Sequence, residues 1–199
     1  TADAGTATGK TGSLSAQTAG TAFNVTVRGV DADWNLVSTT DVVHLTSSDA
    51  SAALPADAAL IAGSQTFSVI LKTAGNSAIT ASDVTNGAIT SNTSPSVTVN
   101  PGAIAKLQLL VPGETAAPGT LTGKTATPTA RTAGTSFNVT VKTVDAYWNQ
   151  VSSVDVVSLS SSDAYATLPS NTALSAGTVT LSVTLKTAGS ATITANDVT

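Results

Sequence analysis

The chain has no cysteine, no methionine and one histidine, and only 4% of its 199 residues are aromatic. Without thiols it forms no disulfide, runs no thiolate chemistry and holds no soft metal through sulfur. The single histidine, His44, has Ser158 as its counterpart in the second half of the chain, so an essential base would be present in one half only. His44 therefore reads as a surface or edge-strand residue. Glu114 is the only glutamate, and it lacks the paired acid that glycoside hydrolysis needs. Charged residues make up 10% of the chain, with a formal net charge of −4. A nucleic-acid binder would carry a basic stripe, so no nucleic-acid partner is expected. No apolar run approaches the ~20 residues of a membrane-spanning helix, and no membrane insertion is expected. The tetrapeptide Thr-Gly-Lys-Thr at 8–11 and again at 122–125 lacks the first glycine of a phosphate-binding loop. Together these absences point away from an enzyme and from any resident cofactor.

What the chain does have is β-forming material. Hydrophobic residues make up 41%, and Ser plus Thr roughly 30%. Shifted by 114 residues, the sequence falls on itself without a gap, and residues 1–85 match 115–199 at about 54 of 85 positions. A repeat of this length marks tandem domains rather than solenoid units. Phe23, Val25 and Val27 alternate with polar neighbours, as do Phe67, Val69 and Leu71, and Leu107, Leu109 and Val111. That period of two is the signature of half-buried strands. Val97 with Val99, and the runs 41–45 and 77–81, add further strands. Turn formers separate them, including Ala62-Gly63, Ala74-Gly75 and Asn86-Gly87. The expectation is an all-β chain of two sandwich domains, residues 1–101 and 102–199, stacked end to end across a short Pro-Gly junction.

The motif Ala-Gly-Thr-x-Phe-Asn-Val-Thr-Val, followed by Val-Asp-Ala-x-x-Asn-x-Val-Ser, Ser-Ser-Asp-Ala and Leu-Lys-Thr-Ala-Gly, resembles the bacterial immunoglobulin-like tandem domains of invasin/intimin-like and filamin-like type. The resemblance covers nearly the whole chain. It implies an immunoglobulin-like sandwich, an extracellular or bacterial cell-surface location, and a structural role as stalk or spacer in a surface or fibre protein. The expected partners are neighbouring domains of the same array, with homotypic assembly into a fibre as a further mode. Alternatives are an adhesin module that binds carbohydrate or protein, or a filament subunit assembling by strand exchange. The resemblance also implies a first strand like 103–113, which the first domain lacks, and a last strand like 95–102, which the second lacks. The chain thus reads as an excerpt cut out of phase with its domains. One molecule supplying the strand another lacks is a sharper reading of the same frame.

Two hexapeptides, residues 30–35 and 144–149, hold the only two tryptophans. Where the resembling domains carry Asp-Ala-x-Gly-Asn, this chain has Trp34 and Trp148 at the glycine position. Asp31 with Asn35, and Asp145 with Asn149, are expected to form a structural corner. Trp34, Trp148 and Tyr147 are expected at an inter-domain or partner contact, because a large ring at a loop apex has little core to enter. The recurring acids offer only a weak metal reading. Asp31, Asp33 and Asn35 at alternate positions, with Asp49, Asp83, Asp163 and Asp197, are the candidates, and calcium is the ion their oxygens would suit. Asp33 is replaced by Tyr147 in the second half, which an oxygen-rich site would not favour. Lys72 and Lys186 recur as well, and the resemblance raises a side-chain crosslink for them. Sequons at Asn24, Asn92 and Asn138 complete the candidates.

Overall fold

The computed structural model describes residues 4–199. It is all β, and it divides into two compact units, residues 1–100 and 101–199. In the first unit the strands are β1 (Gln17–Thr18), β2 (Ala22–Arg28), β3 (Val42–Ser47), β4 (Ala58–Ala59), β5 (Ser64–Ile70), β6 (Gly75–Ser77), β7 (Ile79–Asp83), β8 (Asn92–Thr93) and β9 (Val97–Asn100). They form a pair, β2-β5, a four-stranded sheet in the order β4-β3-β7-β8, and a three-stranded sheet in the order β1-β9-β6. Phe67 and Val69 from β5, Val43 and Leu45 from β3, Ile79 from β7, and Val97 and Val99 from β9 meet in one buried cluster. These are the alternate residues of each strand, so the period of two in the sequence becomes the inner faces of a sandwich.

The second unit contains β10 (Lys106–Leu110), β11 (Thr115–Ala116), β12 (Lys124–Thr125), β13 (Ser136–Val144), β14 (Val156–Ser161), β15 (Thr172–Ala173), β16 (Thr178–Thr184) and β17 (Ile193–Asp197). Here β13 is a central strand, with β10 on one side and β16 on the other. The β10–β13 ladder is antiparallel and runs from Lys106 opposite Val144 to Leu110 opposite Thr140. A second sheet, β15-β14-β17, closes the core formed by Val139, Val141, Val157, Leu174, Leu181 and Val183.

The frames of the two units differ among the described residues. β2, the counterpart of β13, pairs with β5 alone. The stretch 55–63, the one place with a faint helical period, forms β4 and a tight turn instead. Ala62 there takes a left-handed φ of 50°. Gly63 follows it at φ 81°, and a Cβ at that position would run into the Val37 carbonyl.

Candidate functional site

The repeated corner is built around one carboxylate in each unit. In the first, Asp31 Oδ1 accepts the backbone N–H of Asp33 at 2.9 Å and of Asn35 at 2.8 Å. The Asn35 amide also donates to Asp31 Oδ2 at 3.0 Å. In the second unit, Asp145 Oδ1 accepts the Tyr147 and Asn149 amides at 2.8 and 2.9 Å. Its Oδ2 takes the Asn149 side chain at 2.9 Å and the Gly102 N–H at 2.8 Å. A short acceptor side chain that binds amides two and four residues ahead closes the loop on itself, which is why Asp and Asn recur at this spacing. The hydrogen bond from the Asn35 side chain, followed by that from its amide, holds the Asp31 carboxyl below the usual carboxylate range.

Between these residues the backbone turns left-handed. Trp34 has φ 66° and Trp148 φ 68°. A bulky side chain costs about 1–2 kcal/mol in this region, and glycine costs nothing. The glycine of the resembling domains is thus accounted for by backbone geometry. The tryptophans offset their strain by packing within their own unit. Each ring lies flat on a glycine of the Thr-Gly-Lys-Thr turn, Trp34 on Gly9 and Trp148 on Gly123, and a Cβ on either glycine would fall inside the ring. The same turn segment is tied to the corner by the Gly5 N–H on the Asp33 carbonyl at 3.0 Å and the Gly119 N–H on the Tyr147 carbonyl at 2.7 Å. Trp148 gains more than Trp34. Lys106 Nζ stands 3.5 Å from its ring centroid and donates to the Ala146 carbonyl at 3.0 Å. A cation over an indole face contributes about 0.5–2 kcal/mol. Trp34, Trp148 and Tyr147 are half-buried.

A second carboxylate does more structural work than the sequence suggests. Asp49 Oδ2 accepts the backbone N–H groups of Lys72 and Thr73 at 2.7 and 3.0 Å, and Oδ1 accepts the Thr73 hydroxyl and the Ser51 amide at 2.8 and 3.0 Å. Asp163 repeats this with Lys186, Thr187 and Tyr165, at distances of 2.6 to 3.0 Å. Asp49 and Asp163 are only 7% and 8% exposed. Burial alone would raise the Asp49 pKa, but the Thr73 and Lys72 amides outweigh it and the net shift is downward. For Asp163 the Thr187 amide leads and the carboxyl is held well below the ordinary range. Each aspartate staples the loop after β3 or β14 to the loop after β5 or β16. Nothing local in the Ser-Ser-Asp and Leu-Lys-Thr-Ala-Gly segments connects one to the other. Their common recurrence at a fixed separation of 23–24 residues is the signal that could have linked them.

The remaining candidates are also bound to backbone. Asp83 Oδ1 accepts the Thr85 and Asn86 amides, both at 2.8 Å, and Asp197 Oδ1 accepts the Thr199 amide at 3.0 Å. Asp31, Asp49, Asp83, Asp163 and Asp197 therefore direct carboxylate oxygens at N–H and O–H donors. Among the described residues no three acidic or imidazole side chains converge as a metal site would require. Lys72 and Lys186 enter the staples through their backbone N–H groups. His44 lies exposed on β3, with Nδ1 2.6 Å from Asp57 Oδ1.

No protein-family model and no curated protein matches the chain. Solved structures give distant likenesses. The D0-D1 domain of intimin is 14% identical, over 90% of this chain and 85% of that one, with a TM-score of 0.35. Domains 5-6 of the S-layer protein SbsC are 20% identical over 92% and 86%, at 0.34. A longer SbsC structure, domains 4-9, is 19% identical over 94% of this chain and 30% of its own length, at 0.33. At such scores the likeness carries no functional argument.

Proposed function

We propose that the chain is a structural spacer, a segment of a bacterial cell-surface or extracellular fibre protein that carries other parts of that protein away from the cell. One observation supports this above the rest. Of the polar side chains that recur between the two units, Asp31/Asp145 and Asp49/Asp163 accept backbone N–H groups of turns and corners, and Asn35/Asn149 and Thr73/Thr187 donate to those same carboxylates. Side chains kept for chemistry or ligand recognition point outward with free valence, whereas these fix loop geometry. Duplicating them duplicates a scaffold. In such a scaffold, load runs along antiparallel backbone ladders, and the staples hold the loops that join the sheets. The sparse charge and the Ser/Thr-rich faces keep neighbouring copies soluble.

Force-extension measurement on the chain tethered at its ends tests the reading. Two separate unfolding steps are expected, each releasing the length of one unit. A single low-force extension, or saturable binding in a glycan array that is lost on Trp34→Ala, would favour a binding module over a spacer.

A further inference from the structure

We infer that Asn86, in the loop that joins β7 to β8, is a site of spontaneous covalent modification. With Gly87 it closes to a cyclic imide and opens again as aspartate or isoaspartate. The inference is independent of the spacer reading, because it rests on the chemistry of one loop.

The chain has ten asparagines. In each, the backbone nitrogen of the next residue can attack the side-chain amide carbon and close a five-membered ring. That nitrogen must be uncrowded, and the backbone around it must be free to turn. At nine of the ten the next residue is a proline, or it lies in a strand or an isolated bridge. Proline has no N–H to lose, and a ladder holds its residues in one backbone conformation. Asn86 is the exception. It opens the only Asn-Gly pair in the chain, and neither residue belongs to a strand. Both are exposed. The Gly87 N–H has no acceptor among the described residues.

The loop also poises the side chain. Asp83 Oδ1 accepts the Thr85 and Asn86 amides, which fixes the entry to the turn. The Asn86 carbonyl accepts the Ile89 N–H at 3.0 Å, so residues 86–89 form a β-turn. Asn86 Oδ1 closes a second ring by accepting the Ala88 N–H at 3.1 Å. In that ring the side chain lies back along the Gly87 backbone. Attack of the Gly87 nitrogen on Asn86 Cγ drives negative charge onto Oδ1, the atom that Ala88 already supplies with a donor. The Gly87 nitrogen loses its proton to solvent and bonds to Cγ. The Cγ–Nδ2 bond breaks, and Nδ2 takes a proton from solvent and leaves as ammonia. Water then opens the imide. Addition at Cγ gives aspartate, and addition at the backbone carbonyl gives isoaspartate, with the chain rerouted through Cβ. Either product adds a negative charge. Isoaspartate also lengthens the main chain between β7 and β8, whose ladder is only two residue pairs long.

The test incubates the whole chain at mildly alkaline pH and follows residues 73–106, the peptide trypsin releases between Lys72 and Lys106. Expected are a mass gain of about 1 Da confined to Asn86, and isoaspartate beside aspartate in the fragment spectra. Gly87→Ala should slow the gain about tenfold, the ratio that about 1.4 kcal/mol of barrier produces. That substitution spares the fold, since Gly87 is not left-handed and an added Cβ meets nothing within 4 Å. An unchanged melting temperature checks this. No conversion at Asn86, conversion of another asparagine ahead of it, aspartate without isoaspartate, or an undiminished rate in Gly87→Ala would overturn the proposal.

Discussion

The strand Phe-Asn-Val-Thr-Val occurs once in each unit, yet among the described residues one copy is central and buried while the other pairs on one side only and has half-covered side chains. Identical local sequence therefore does not set burial; the neighbouring strand does. The rest of the comparison follows the same rule. Lys124 in the second unit meets Glu114 at 3.0 Å and the Leu109 carbonyl at 3.0 Å. Its counterpart Lys10 meets the Asn92 side chain and the Thr93 carbonyl instead. Each ammonium takes whatever oxygen its unit's frame brings near. What remains constant is local: the Asx corner and the aspartate staple are closed by residues that both units contain.

The largest effect is expected from breaking what the units share. Asp49→Ala leaves the Lys72, Thr73 and Ser51 amides without their acceptor and should lower the stability of the first unit by about 2–4 kcal/mol in denaturant titration. Asp163→Ala should do the same to the second unit, with the first unit's transition unmoved. Acid should act on both units through the same groups. The carboxyls of Asp31, Asp49 and Asp163 are lowered in the folded state, while an unfolded aspartate titrates near ~3.9. Their contribution is therefore complete above about pH 4 and is lost as pH falls through the lowered values. Melting temperatures flat from pH 7 to 5 and falling steeply below ~4 are expected, and a decline beginning near pH 6 would contradict the assignment.

Leu109→Ala should make the second unit resemble the first. It costs about 2 kcal/mol by thinning the cover that β10 lays over the core, and hydrogen exchange at Val141 should quicken accordingly. Next comes Trp148→Gly, which removes a ring packed on Gly123 and under Lys106 but relieves a left-handed backbone. A net loss of about 1 kcal/mol is expected, against less for Trp34→Gly, over whose ring no ammonium stands among the described residues. Equal losses would mean that the lysine contributes nothing. Chelation with EDTA should be the smallest effect, leaving both melting temperatures unchanged.

Much of the fold was legible because strands declare themselves locally. Alternation at 23–27, 67–71 and 107–111 places β2, β5 and β10, and the 114-residue repeat divides the chain. The Asx corner was legible for the same reason, since Asp31 and Asn35 close a loop within five residues. The staple was not, because its two ends lie in different turns and neither has periodicity to connect them. Nor was the contact made by the tryptophans. Their departure from glycine marked the position, but the partner is the Thr-Gly-Lys-Thr turn about 25 residues earlier, and only the fold lays that glycine flat beneath the ring.

The placement of those two rings has an optical consequence. Each unit holds one indole at the same left-handed position, on the same kind of glycine platform, yet Lys106 stands over one ring only. A cation above an indole face shifts and quenches its emission, so the two halves of the molecule are spectrally distinguishable without any label. Unfolding of the second unit should release Trp148 from that quenching while Trp34 reports the first unit separately. Replacing either tryptophan by phenylalanine would leave a chain with one native chromophore, watching one repeat at a time.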